Sequence, residues 1–319
     1  VSTSLAGAAG ALRRLFQEPE RPLVAVEVRP GSVGVVRVRR DHGRPVLVAA
    51  ASLDLPPATL QLSLTQPNIL DPARFRQALK GTLERVGVLG GARVALVLPD
   101  PVARVSVVPA ADVTARKAPE IAELLRFRLK KVLPFEIRDA RMNWCTAGGR
   151  ATDPYLVAAA MEPVVGAYEE ACLSLGLEPG LVELAGLALA RAAVGGRREG
   201  DRLLVNWDDG YVSLILVRGD WPVMVRTLSG PATTSPAEVA REVTNTILYY
   251  RERLGGAGLA GGFVRTVAVP PAEAVDALRE PMGLEPEVLD PWKLLGAAGP
   301  GGSASQLLAA AAACLGADS

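Results

Sequence analysis

The chain repeats one pattern, and that repeat limits its fold more than any other feature. "PLVAVEVRPGSVGVVRVRRDHGRPVLVAAASL" (Pro22 to Leu53) alternates strand, turn, strand, turn, strand, with turns at "RPGS" and "DHGR". "DRLLVNWDDGYVSLILVRGDWPVMVRTLSG" (Asp201 to Gly230) does the same at matching spacing, with turns at "DDG" and "RGDW". Val, Leu and Ile fill the strands and Gly marks the turns, as hairpins require. Two three-stranded meanders, each followed by helical material, predict a duplicated α/β fold with two lobes. The competing reading is two unrelated meanders.

Helices fill the intervals. Phe75, Leu79, Leu83 and Val86 share a face, with Asp71 and Pro72 as N-cap and first helical residue. Ile121, Leu125, Leu129 and Val132 form a second stripe, closed by Pro134. Val165, Tyr168, Cys172 and Leu175 form a third; Val239, Val243, Ile247, Tyr250 and Leu254 form a fourth. "RVALVLPDPVARVSVVP" reads as two strands around a Pro-Asp-Pro turn, and "LLAAAAACLGA" as a packed terminal helix. The expected organisation is an N-terminal arm (1–20), a first lobe (21–198) and a second lobe (199–319). The arm is expected to be frayed or docked, because its arginines follow its small residues, the wrong order for a signal peptide.

Composition removes several function classes. Lys plus Arg is 35 against 34 for Asp plus Glu, so no general nucleic-acid-binding surface is expected. Cys145, Cys172 and Cys314 form no C-x-x-C pair and read as reduced, buried thiols, with no metal site or disulfide framework. His42, the only histidine, sits in a turn, which leaves no relay for nucleophilic catalysis. No apolar run reaches the roughly 20 residues that span a bilayer.

Five blocks, in order, carry a resemblance: "VALVLPDPVARVSVVP", "LLRFRLKKVLPFEIRDARMNW", "YLVAAAMEPVVGAYEEACLSLGLEPGLVELAGLALAR", "REVTNTILYYRERLGG" and "EVLDPWKLL". From about Val24 to Leu315 the chain resembles the PilM family of actin-like type IV pilus assembly proteins. The cytoplasmic part of GspL from type II secretion, and FtsA, are more distant relatives. The resemblance implies a two-lobed actin-like, ribonuclease-H-related α/β fold, with an inserted subdomain at about 93–161. It also implies a nucleotide cleft between the lobes.

The cleft residues depart from the family's pattern. Actin-like ATPases present a D-x-G hairpin from each lobe, so that bare backbone meets phosphate and carboxylates hold the Mg²⁺ water shell. Here Glu27 stands at the first Asp position and Arg29 at the Gly position, beside Gly31 and Ser32. Arg29 either blocks the backbone's approach or contacts a phosphate itself. Asn206 replaces the second Asp and lacks its charge; Asp208 stands at the Gly position, ahead of Gly210. Pro270 and Pro271 replace the Gly-Gly turn expected against the adenosine and remove two backbone donors. The expectation is therefore no catalytic residue, no metal and no cofactor, with Arg29 and Asp208 pairing across the cleft. An ATP-binding ATPase with altered motifs and Mg²⁺ is the alternative.

Partner binding is the function that remains. The resemblance implies a cytoplasmic adaptor at the inner face of the bacterial inner membrane, joined to that membrane through its partners. It would bind the N-terminal cytoplasmic segment of a PilN-like membrane protein, in a groove between the first lobe and the insert, and link it to pilus motor ATPases. Arg126, Arg128, Lys130 and Lys131, followed by Leu133 and Phe135, are the expected rim and floor of that groove. The plainer reading places Leu133 and Phe135 in the core and the cations on a solvated face.

Overall fold

A computed structural model describes residues 21–42, 44–88, 90–113, 117–146, 153–194, 199–295 and 304–315. The chain opens with β1 (Val24–Arg29), β2 (Ser32–Asp41), β3 (Arg44–Asp54), α1 (Pro72–Val86) and β4 (Arg93–Leu98). Next come β5 (Arg104–Val108), α2 (Ala118–Leu129), β6 (Ala140–Thr146), β7 (Tyr155–Met161), α3 (Glu162–Leu173), β8 (Glu178–Leu184) and α4 (Ala185–Val194). The second half holds β9 (Asp201–Asp208), β10 (Tyr211–Arg218), β11 (Trp221–Ser229), α5 (Pro236–Arg253) and β12 (Leu259–Thr266). It ends with α6 (Pro271–Met282), β13 (Glu287–Val288), α7 (Pro291–Leu294) and α8 (Leu308–Cys314).

The repeat is real in space. One sheet has the order β3-β2-β1-β4-β8 and the other β11-β10-β9-β12-β13, so each lobe uses the same five-strand arrangement. In both, the meander is antiparallel and the last two strands join in parallel. This is the duplicated actin-like α/β fold. The expected N-terminal arm, 1–20, and the lobe boundary at 198 fall outside the described residues.

Strand alternation divides each sheet between two cores. Val24, Val26 and Val28 of β1 join Phe75, Leu79 and Leu83 of α1 and Val165 and Tyr168 of α3 in an outer core. Leu203 and Val205 of β9 do the same with Val239, Val243 and Tyr250 of α5 and Leu278 of α6. The opposite faces, with Ala25, Val36, Val97, Leu204, Ile215 and Phe263, meet across the molecule around α4 and α8. Because side chains alternate with period two, Glu27 and Arg29 follow Ala25 onto this inter-lobe face. By the same rule Asn206 and Asp208 follow Leu204, and Arg265 follows Phe263.

Local signals explain the helices. Asp71 accepts from Ala73 N and Arg74 N, Pro72 starts α1, and Gly87 ends it at φ 66. In α2 the core takes Ile121, Leu125 and Leu129, but then Leu133 rather than Val132, which is 51% exposed. Leu133 continues the four-residue spacing of Ile121, Leu125 and Leu129, and its N donates to Leu129 O at 3.0 Å.

Three expectations change. The insert starts after β4 rather than at about Arg93, since β4 pairs in parallel with both β1 and β8. Its own sheet is β5-β7-β6, covered on one face by α2. The terminal helix α8, read as second lobe, packs against β1, β2 and β4 of the first. Cys145 is exposed, unlike Cys172 and Cys314, because it lies on an edge strand of the small insert sheet.

Candidate functional site

The two hairpin turns face each other across the inter-lobe boundary, and charge fills the space between them. Arg29 Nη2 donates to Asp208 Oδ1 at 2.7 Å, and its Nε reaches Oδ1 at 3.1 Å and Oδ2 at 3.0 Å. Its Nη1 donates to Ser32 Oγ at 3.0 Å, and Nη2 also to Asp209 Oδ2 at 3.2 Å. From β12, Arg265 donates through Nη1 to Asn206 Oδ1 at 2.9 Å and to Asp208 Oδ2, and through Nη2 to Glu27 Oε1 at 2.8 Å. Glu27, Arg29, Ser32, Asn206, Asp208 and Arg265 are all buried.

Two carboxylates in the same region cap helices. Glu27 Oε2 accepts from Ala310 N of α8 at 2.7 Å. Asp100 Oδ1 accepts from Gly186 N of α4 at 2.7 Å, and its Oδ2 from Asn206 Nδ2 at 3.0 Å. A carboxylate at a helix start answers both the free N–H groups and the dipole. Gly186 is needed there: a Cβ at that position would lie 2.6 Å from Asp100 Oδ2 and 2.8 Å from Ile215 Cδ1.

Burial pushes Glu27 up to about 7, against the pull of Arg265 and the Ala310 amide. Burial acts the same way on Asp208, but Arg265 and Arg29 together outweigh it and hold that carboxyl down at about 2. Asp100 is raised by burial, in spite of its hydrogen bonds.

These residues do not fit a magnesium nucleotide. Each oxygen of Asp208 already accepts from a guanidinium, and Glu27 is spent on Arg265 and on α8. Arg29 occupies the gap between the turns, where Gly31 stands within 4.0 Å of Asp209 Oδ2 by its Cβ position. Gly210 keeps φ 76, which serves the tight turn. Pro270 and Pro271 are exposed and open α6 as cap and first helical residue, where no N–H is missed.

A second concavity lies in the first lobe. A cavity of about 460 Å³ opens between β8 and the insert sheet, floored by Leu98, Val102, Leu156, Val182, Leu184 and Leu187. Arg141 and Glu183 line it too. Both β8 and β6 are edge strands, so unpaired backbone flanks an apolar floor. The residues expected to bind a partner do not line this cavity. Leu133 and Phe135 pack into the insert core beneath α2. Arg126, Lys130 and Lys131 are exposed on α2 and its following turn, on the face of the insert sheet turned away from the cavity. The helical stripe identified α2's buried face, but not which sheet face stays open.

Arg265, Asp100 and Glu183 were absent from the sequence expectation. Arg265 falls beside Asn206 because β12 pairs with β9, an adjacency that "GGFVRTV" by itself does not announce.

The comparisons agree with this architecture. No protein-family model matches the chain, and no curated protein matches it. Among solved structures, a chain of the PilM-PilN type IV pilus biogenesis complex matches at 21% identity and TM-score 0.74, over 93% of this chain and 97% of that one. The cytoplasmic domain of EpsL, an inner-membrane component of the type II secretion system of Vibrio cholerae, matches at 10% identity and TM-score 0.51, over 91% and 93%. A Bacteroides thetaiotaomicron protein with an actin-like ATPase fold matches at 6% identity and TM-score 0.51, over 85% and 91%. At these identities the likeness establishes the actin-like fold.

Proposed function

We propose that this chain is a non-catalytic adaptor of a type IV pilus, or related type II secretion, inner-membrane assembly platform. It acts at the cytoplasmic face of the inner membrane and holds the N-terminal cytoplasmic segment of a PilN-like membrane protein. The observation that carries this reading is the groove between the edges of β8 and β6, whose volume suits a short extended segment. Likeness to a chain of a PilM-PilN complex supports the partner's class. No helix among the described residues is long and apolar enough to cross a membrane, which fits attachment through a partner. Pilus motor ATPases are the expected next contact.

The paired charges between the lobes support nucleotide-independent action: Arg29 and Arg265 take the counter-charge part that a cation would otherwise play. Fluorescence anisotropy tests the groove, using a labelled peptide from the start of a PilN-like membrane protein. Binding by the folded wild type and at least tenfold weaker binding by Leu184→Asp is the expected result. No binding at high micromolar concentration overturns it. The rival ATPase reading requires low-micromolar Mg-ATP binding by calorimetry.

A further inference from the structure

The basic run singled out in the sequence is not used by the groove. Arg126, Arg128, Lys130 and Lys131 stand within six consecutive residues at the end of α2, with no acid among them. Only Arg128 is engaged, with Asp112 at 3.3 Å. Among the described residues, none forms an ion pair with Arg126, Lys130 or Lys131. The nearby acids lie to either side: Glu120 and Glu123 on the earlier turns of α2, Glu136 and Asp139 after Pro134.

Two exposed apolar side chains accompany these cations: Phe127 lies within the run and Val132 directly after it. Phe127 is 66% exposed and Val132 is 51% exposed, the former being the most exposed large apolar residue described. Helical spacing puts Lys130 and Lys131 one turn from Phe127. Neither Phe127 nor Val132 lines the cavity at β8. With both side chains more than half exposed, the end of α2 offers a ring and an aliphatic side chain to solvent alongside exposed cations.

We propose that the end of α2 docks directly onto an anionic phospholipid surface. Phe127 and Val132 enter the boundary between headgroups and acyl chains, and Arg126, Lys130 and Lys131 meet lipid phosphates. Charge complementarity and exposure select this occupant. An acidic folded protein would need a recess or extended face to bury the ring, whereas a lipid surface admits an exposed one. The inference rests on this face alone and does not require the groove to be occupied.

Vesicle co-sedimentation of the full chain tests it, comparing phosphatidylglycerol–phosphatidylcholine vesicles with phosphatidylcholine alone at low salt. The wild type should sediment with the anionic vesicles only. Lys130→Glu with Lys131→Glu should weaken binding roughly 30-fold or more, from the loss of two cations. Phe127→Ser should weaken it several-fold. All three side chains are exposed, so the thermal unfolding midpoint should not move. Absence of wild-type sedimentation, equal binding to phosphatidylcholine alone, or unchanged binding in either variant overturns the proposal. Capture of an acidic soluble protein in place of vesicles does so as well. Peptide anisotropy without vesicles reports the groove separately, so the two readings can fail independently.

Discussion

Glu27 and Asp208 titrate in opposite directions although Arg265 touches both: burial outweighs the cations at Glu27, whereas at Asp208 the direct hydrogen bonds from Arg29 add to Arg265 and outweigh it. The folded value of Asp208, about 2, lies below its ordinary 3.8, so the unfolded chain binds more protons between them. Stability from this group is present above that window and is lost as pH falls through it. Glu27 is raised from 4.5 to about 7, so the folded chain binds more protons there, and stability falls as pH rises through that interval. Chemical denaturation across pH should therefore show a loss of stability as pH falls below 3.8 that Asp208→Asn removes, and a fall between 4.5 and about 7 that Glu27→Gln flattens. An unchanged slope in that upper interval for Glu27→Gln would refute this assignment. The pairing of Arg29 with Asp208 was legible because both stand at fixed hairpin positions. Arg265 was not, since its role depends on strand adjacency that only the completed sheet supplies.

At the level of elements, α8 is held by opposite charges at its two ends. Glu27 meets its first turn, while Arg191 donates to Leu315 O at 2.7 Å and to Ala312 O at 3.1 Å. Arg21 donates to Ala313 O at 3.2 Å, and Glu183 bridges Arg21 and Arg191. Both ends thus oppose the helix dipole with the favourable sign. Between them Ala309 to Ala313 are wholly buried, so the small side chains let α8 lie close to the first sheet. Ala311→Leu should overpack this layer and cost about 1–3 kcal/mol in urea unfolding. A neutral effect would mean that the layer has slack. The alanine run predicted a packed helix, but with no amphipathic stripe it carried no information about which lobe would receive it. The stripes of α1 and α5, each with a distinct polar face, were legible almost residue for residue.

For the whole molecule, α4 and α8 lie between two sheets of identical strand order, so the lobes share a core as well as a charge cluster. Mg-ATP in excess should leave the thermal midpoint unchanged, whereas a ligand at 100 times its Kd would stabilise by about 2.7 kcal/mol. A clear upward shift would revive the ATPase reading. The duplicated architecture was legible because turn spacing repeats along the chain. The groove's lining was not, because it is set by two edge strands, β6 and β8, far apart in sequence. Glu183 lies in both that groove and the clamp on α8.

The position of α8 also orders events at the ribosome. β1, β2 and β4 emerge early, yet the helix that covers their inner face is synthesised only after the strands and helices of the second lobe. Until then the first lobe exposes an apolar surface and the buried-to-be Glu27 has no helix to cap. The first lobe therefore waits for a segment made after the second, and a premature stop before residue 304 leaves both lobes unfinished rather than one.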